Sequence, residues 1–243
     1  MSALPFAGRT VAVTGASGSL GRALLLELHR QGAALVALTS SEDPLSLTGT
    51  DGQAVALEQV HCHCGQEQAL QAVLERCDVL VINHGFNCHG DRSAEAVQRS
   101  LEVNALSSWR LLELFAGIAS ADPATAGARE LWMNTSEAEI QAAVSPLYEI
   151  SKRLQGQLLS LRSLDLAGPR LRLRRLVLGP FRSALNPIGV MSAAFVAREI
   201  LRQVRWNWGL VIVTPNPLTY LLMPLASLGR WLYFQATTRR SAG

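Results

Sequence analysis

An apolar run from Arg9 to Thr14 leads directly into Thr14-Gly15-Ala16-Ser17-Gly18-Ser19-Leu20-Gly21. Beyond it Leu20, Leu24, Leu25 and Leu28 recur at helical spacing until Gly32, which is placed to stop a helix. Strand, glycine turn and helix in immediate succession form a dinucleotide-binding opening of the kind found in α/β sheets. The glycines let backbone amides approach a pyrophosphate, and the helix N-terminus adds partial positive charge. Gly15, Ser17, Gly18, Ser19, Leu20 and Gly21 are the candidate phosphate-binding positions. A tight turn without a ligand is the alternative.

A chain of 243 residues with 49% apolar content can bury one substantial core, so a single domain over 1–243 is expected. The formal charge of +3 gives no argument for a nucleic-acid partner. Val11-Ala12-Val13 runs straight into glycines, unlike the basic-then-apolar build of a secretory leader. Cys62, Cys64, Cys77 and Cys88 then read as reduced thiols of a cytoplasmic-type compartment.

Leu35 to Leu38 predicts the second strand, ending in Thr39 and Ser40. A carboxylate at this strand end would bond the ribose hydroxyls of NAD and repel a 2′-phosphate. Thr39 and Ser40 offer neutral donors instead, which favours NADP, with NAD as the alternative. Arg22, just past the last glycine, is either a phosphate partner or a solvated helix residue. Val60-His61-Cys62-His63-Cys64 alternates two ligand types, but on a strand the histidines and cysteines face opposite sides, so no metal site is expected. Cys77 to Ile82 is continuously apolar around Asp78, as in a parallel strand covered on both faces, and Asn83-His84-Gly85 follows at its cofactor end. Ser100 to Ile118 predicts a helix carrying Asn104, Leu131 to Thr135 a strand closed by Ser136-Glu137, and Leu171 to Leu178 a further strand ending in Gly179-Pro180. Arg170, Arg172 and Arg174 alternate there, predicting one wet face.

Tyr148 and Lys152 stand four residues apart, hence on one face of a helix predicted over Tyr148 to Leu161. An ammonium beside a phenol favours phenolate, so Lys152 is expected to lower the Tyr148 pKa toward neutrality and ready it for proton transfer to or from a carbonyl oxygen.

In order and spacing, Thr14-Gly15…Gly18…Gly21, Ile82-Asn83-His84-Gly85, Val103-Asn104, Thr135-Ser136, Tyr148…Lys152 and Gly179-Pro180 resemble the short-chain dehydrogenase/reductase family over roughly residues 8 to 213. The resemblance implies a single-domain Rossmann fold, a doubly wound parallel sheet with helices on both faces, and an NADP or NAD cofactor. It also implies a catalytic set of Asn104, Ser136, Tyr148 and Lys152. In that set Tyr148 is the acid/base, Ser136 orients the substrate oxygen, Lys152 grips the nicotinamide ribose, and Asn104 holds a relay water. Asn83, His84, Gly85, Gly179 and Pro180 join the cofactor-binding positions.

Several residues depart from the pattern. The glycines are spaced as in the longer, epimerase-like members. His63 replaces the aspartate that usually contacts adenine, and His84 replaces an alanine. Ser136 lies one residue closer to Tyr148 than is common, leaving Thr135 as its alternate. Asn134 to Glu139 and Leu178 to Phe181 resemble a divergent branch often labelled bifunctional sterol desaturase/short-chain dehydrogenase, which suggests a lipid-like substrate. An NAD(P)-dependent oxidoreductase interconverting carbonyl and hydroxyl on a small or hydrophobic molecule is therefore expected; a non-catalytic NAD(P)-binding sensor is the alternative.

Family members commonly pair the helices bearing Asn104 and Tyr148, so a homodimer or homotetramer is expected, with Leu111, Leu112, Leu158 and Leu159 at either the contact or the core. From Trp206 to Gly229 no residue is charged. Leu210 to Val213 predicts a last strand, and Pro215, Asn216, Pro217 and Pro224 argue against an uninterrupted helix over Trp206 to Gly229. The apolar cap over about 214–243, with Trp231, Tyr233, Arg230, Arg239 and Arg240, suits an oligomer contact, a substrate lid or a peripheral membrane contact. Calorimetric titration should show NADP binding more tightly than NAD; a clear preference for NAD overturns the assignment made from Thr39 and Ser40.

Overall fold

The computed structural model describes residues 4–121, 128–166 and 170–238; Arg239 and Arg240 lie outside the described residues. Seven strands form one parallel sheet: β1 Thr10–Thr14, β2 Ala34–Thr39, β3 Glu58–His61, β4 Val79–Ile82, β5 Arg129–Ser136, β6 Leu171–Leu178 and β7 Leu210–Val213. Their order is β3-β2-β1-β4-β5-β6-β7, so the order reverses direction after β3, between β1 and β4. That switch point opens a crevice at the C-terminal edge, where loops from both halves meet.

The central strands are continuous apolar runs because both faces are covered. One face carries α1 (Ser19–Arg30), packed on a later helix that ends before β7; between them Leu24, Leu25, Leu28, Val196 and Ile200 are fully buried. The opposite face carries the short α2 (Gln71–Leu74), then α3 (Ala94–Leu101), α4 (Ser107–Ala121) and α5 (Pro146–Leu166), with Leu74, Leu111, Leu112, Phe115 and Leu159 in its core. The helix between β6 and β7 is α6 (Ala193–Arg205), and α7 (Pro217–Thr237) closes the chain.

Three expectations are corrected. The helix around Asn104 runs from Ala94 to Ala121 and widens into a π turn at Glu102–Leu106. The β6 face expected to be wet is half dry, since Arg174 is buried and pairs with Glu130 at 2.7 Å. No helix runs unbroken over Trp206 to Gly229, since β7 intervenes, but the later prolines do not interrupt the helix that follows: Pro217 occupies its first turn, where its missing N–H is not needed, and Asn216 caps it through its side chain. Pro224 then sits inside a continuous 21-residue helix, where it forfeits one backbone hydrogen bond. Leu111, Leu112 and Leu159 belong to the chain's own core, which removes them as a contact between copies.

Glu130, on β5, sits at the centre of a buried charge cluster. It accepts from Arg174 (2.7 Å), Arg9 (2.9 Å) and the Trp132 indole (2.9 Å). Burial pushes its pKa up, yet hydrogen bonds from Arg174 and Trp132 outweigh that and hold it down at about 2. A depressed carboxylate contributes stability that is full above its unfolded pKa and is lost as pH falls through the folded value. Urea denaturation of Glu130→Ala at pH 7 should show a loss of about 3–5 kcal/mol, because Arg174 is left buried and unpaired. The wild type should lose part of its stability between about pH 4.5 and 2, and the variant should lose less over that range.

Candidate active site

At the end of β1 the chain turns through Gly15 (φ +61°), and a Cβ there would lie 2.9 Å from the His84 Cα of the neighbouring strand end. Gly21 is as tightly placed, since a Cβ would collide with the Gly15 carbonyl oxygen and the Ala16 backbone. Both contacts exclude side chains and draw the first turn of α1 against the end of β1. That first turn holds no acidic residue, so its free amides face the crevice with no carboxylate to oppose an anion. Ser17 and Ser19 are exposed at this turn, while the Leu20 side chain is buried beneath it. The residues present thus fit a nicotinamide dinucleotide, with the pyrophosphate on the amides of the Gly15–Gly21 turn.

Thr39 and Ser40 separate in role. The buried Thr39 hydroxyl donates to Ser17 Oγ at 2.9 Å and accepts the Ser41 amide at 3.1 Å, so it ties β2 to the glycine turn. Ser40 is exposed beside it and is the neutral donor left at this strand end. Arg22 donates to the Ser46 carbonyl at 2.8 Å, which holds it on the loop that follows. His61 and His63 stack with centroids 6.4 Å apart, and among the described residues no group of three or more His, Cys, Asp or Glu side chains is placed to hold a metal.

At the end of β4 the Thr14 hydroxyl accepts the amides of Asn83 (2.8 Å) and His84 (3.2 Å) and lies 2.9 Å from His84 Nδ1. Burial, aided by the positive charge of Lys152, lowers the His84 pKa to about 4, so its imidazole is neutral. It therefore brings no positive charge to a phosphate. Gly85 follows at the rim, under Leu185 of the loop after β6. Gly179 and Pro180 open that loop, and it is pinned by Asn87 Nδ2 donating to the Leu185 carbonyl at 3.2 Å.

The catalytic candidates come together across the ends of β5 and α5. Ser136 closes β5 and its hydroxyl meets the Tyr148 phenol, a contact that lowers the phenol's pKa. Thr135 points the other way, its hydroxyl donating to the Leu176 carbonyl of β6 at 3.3 Å. Strand alternation thus brings Ser136, and not Thr135, to the phenol. Lys152 lies with Nζ 5.7 Å from the Tyr148 ring centroid and donates to the Gln155 amide oxygen (3.0 Å) and the Asn134 carbonyl (3.4 Å).

The expected acidified phenol is not what this arrangement produces. Burial raises the Tyr148 pKa, and the Ser136 hydrogen bond offsets that only in part. Burial likewise lowers the Lys152 pKa to about 8, against the opposing charge of Glu139. Desolvation therefore outweighs the attraction between phenolate and ammonium that helical spacing alone suggests.

Asn104 is fully buried, and its side chain is spent on the protein: Oδ1 accepts the Phe86 amide (2.8 Å), while Nδ2 donates to the Phe86 carbonyl and to Ser151 Oγ (2.9 Å each). Oδ1 keeps a second lone pair, and the π turn spreads the backbone hydrogen bonds beside it, so both offer places for a water. Three supporting residues escaped the sequence reading. Asn134 joins Asn83 (3.0 Å) to Lys152, Gln155 links Lys152 to Ser108 (3.2 Å), and Ser151 receives Asn104. Gln155 and Ser151 share the Asn104- and Lys152-facing side of α5, and Asn134 adjoins Thr135-Ser136, so helix and strand periodicity were the available signals.

Fold and site define a nicotinamide-dinucleotide-dependent enzyme of the Rossmann class. Residues 11–153, more than half of the chain, match the NAD dependent epimerase/dehydratase family; the chain belongs to that family. It is 44% identical over 240 residues to a protein of Synechocystis sp. named monoglucosyldiacylglycerol epimerase, covering 99% of this chain and 57% of that protein. The chain therefore spans little more than half the length of this curated relative. Among solved structures, a short-chain dehydrogenase from Burkholderia cenocepacia in complex with NADP is similar at TM-score 0.76 and 18% identity, over 96% of this chain and 99% of the other. A short-chain dehydrogenase from Sphingobium yanoikuyae in complex with NADPH is similar at TM-score 0.71 and 17% identity, over 97% and 98%. At these identities the likeness is one of fold.

Dinucleotide affinity should fall as pH rises through about 8, where Lys152 loses its proton, and Lys152→Met should bind weakly without that step. Calorimetry across pH 6.5 to 9.5 reads both; a pH-independent wild type would remove Lys152 from the cofactor site.

Proposed function

We propose that the protein interconverts a hydroxyl and a carbonyl on the sugar headgroup of a glycolipid, as one half of an epimerisation, using NADP in preference to NAD. The observation that carries the reading is the meeting of Ser136, Tyr148 and Lys152 at the crevice edge. A chain that only sensed a dinucleotide would gain nothing from a serine hydroxyl held against a buried phenol. The epimerase name of the Synechocystis relative supplies the substrate class, and the branch resemblance points the same way toward a lipid. The exposed Ser40 at the end of β2, where no carboxylate stands, favours a 2′-phosphate.

When bound, the nicotinamide supplies the acceptance and return of a hydride. The protein's own groups handle the proton. Tyr148, as phenolate, takes it from the sugar hydroxyl and gives it back to the carbonyl oxygen, while Ser136 holds that oxygen in line. The Lys152 ammonium draws the phenol toward ionisation only once ligands complete the pocket, because burial opposes both charges in the free protein. Asn104 keeps α5 and the Phe86 loop in register. Leu185 and the exposed Ile188 and Val190 bring apolar surface to the substrate side, suited to the lipid end of the molecule.

Incubation with monoglucosyldiacylglycerol in mixed micelles and catalytic NADP should convert the sugar to an epimer without net cofactor consumption, read by proton NMR of the headgroup. Tyr148→Phe should abolish conversion and keep cofactor affinity; Ser136→Ala should slow it by roughly 10²-fold, and Thr135→Ala should be milder. Full turnover in Tyr148→Phe, or dinucleotide binding without conversion of any glycolipid, would refute the reading.

A further inference from the structure

A helix lying on a water-facing protein buries its leucines and exposes its polar side chains. In α7 the arrangement is reversed. Leu218, Leu221, Leu222, Leu225, Leu228 and Leu232 are all exposed, between 39% and 60%, and they recur at helical spacing along one outward stripe. Three of its polar side chains turn inward. Thr219 is buried and donates to Glu137 at 3.0 Å, Ser227 lies 3.5 Å from Arg175, and Arg230, the one charge of the helix, reaches the buried Glu139 at 3.0 Å.

The inward bonds show that this orientation belongs to the fold. Thr214 and Thr219 both donate to Glu137, and Gln141 bridges Asn216 and Thr219. Turning the leucines inward would take Arg230 from Glu139 and leave it Arg175 alone at 3.6 Å; Glu139 also sits against Gly156 of α5 with no space for a Cβ between them. The outward stripe is therefore an apolar surface that water cannot be the intended partner of.

Next to the C-terminal half of α7, Trp231 shares a groove with Gly209 and Leu210, which follow directly on the exposed Trp206 and Trp208. Around this turn Arg170, Arg172 and Arg205 are exposed, bonded at most to neutral oxygens and with no carboxylate partner among the described residues. No acidic residue occurs anywhere from Arg205 onward in the sequence. Aromatics beside unpaired arginines at the border of an apolar stripe match the chemistry of an anionic membrane interface.

We propose that the leucine face of α7, bordered by the Trp206–Trp208 turn, docks onto an anionic lipid bilayer, with the helix lying in the plane of the interface. A second copy fits less well, because two-fold contact would bring an arginine-bordered surface without carboxylates onto itself. Among the described residues no helix is long and apolar enough to cross a membrane, and the inward bonds of α7 hold it to the protein. The proposal rests on the glycolipid reading only for its purpose: α7 starts beside Glu137, the residue after Ser136, so docking brings headgroups to the catalytic edge. Docking itself does not depend on which lipid reacts.

The full chain should sediment with vesicles of phosphatidylcholine and phosphatidylglycerol, and more weakly with phosphatidylcholine alone. Leu221→Glu/Leu225→Glu should lower partitioning by roughly tenfold or more while leaving the melting transition in place, and Arg172→Glu/Arg205→Glu should remove the preference for the anionic vesicles. Brominated lipid should quench tryptophan fluorescence of the wild type, an outcome that needs no variant to fold. Absence of sedimentation and quenching overturns the proposal. So does a dimer in light scattering that the glutamate pair converts to monomer without any change in vesicle binding. Vesicle binding with no glycolipid conversion would instead refute only the function proposed above.

Discussion

One buried amide holds the candidate active-site edge together. Asn104 bonds both backbone groups of Phe86 and the hydroxyl of Ser151, so a single side chain joins the loop after β4, the π turn and α5. Each of these groups would be costly to leave unpaired in the interior. Their mutual satisfaction sets the rotation of α5, and that rotation aims Tyr148 and Lys152 at the end of β5. The π turn is the local adjustment that lets Asn104 reach both partners while the helix continues on either side.

At Tyr148 and Lys152, unlike at Glu130, burial governs charge more than pairing does. Lys152 sits under Tyr148 with neutral oxygens as its hydrogen-bond partners, and desolvation moves both pKa values toward the uncharged forms. In the proposed mechanism the site becomes an acid/base centre once ligands replace water with fixed dipoles. Glu139 extends the same principle outward. It lends negative charge toward Lys152 on one side and takes Arg230 of α7 on the other. The catalytic edge and the apolar outer helix thus share one buried carboxylate.

Much of the fold was legible in the chain because parallel strands and glycine turns impose local demands. Seven strand segments, the glycine turn and the helical face shared by Tyr148 and Lys152 follow from periods of two and 3.6 residues and from the steric needs of Gly15 and Gly21. Strand alternation alone was enough to prefer Ser136 over Thr135. The wet face assigned to β6 was wrong because alternation tells which side chains share a face but not what covers it. Arg174 is covered and finds Glu130, which lies 44 residues earlier.

What the sequence by itself determined is therefore the class of chain: the dinucleotide turn, the strand succession and the helical face that Tyr148 and Lys152 share. Tertiary structure alone decided the state of Tyr148 and Lys152, because pKa depends on burial and on partners distant in sequence, such as Ser136 and Glu139. It also decided the direction in which α7 faces. Leucines every third or fourth residue mark a helix with an apolar side, but only the long-range bonds from Thr219 and Arg230 to Glu137 and Glu139 turn that side away from the core.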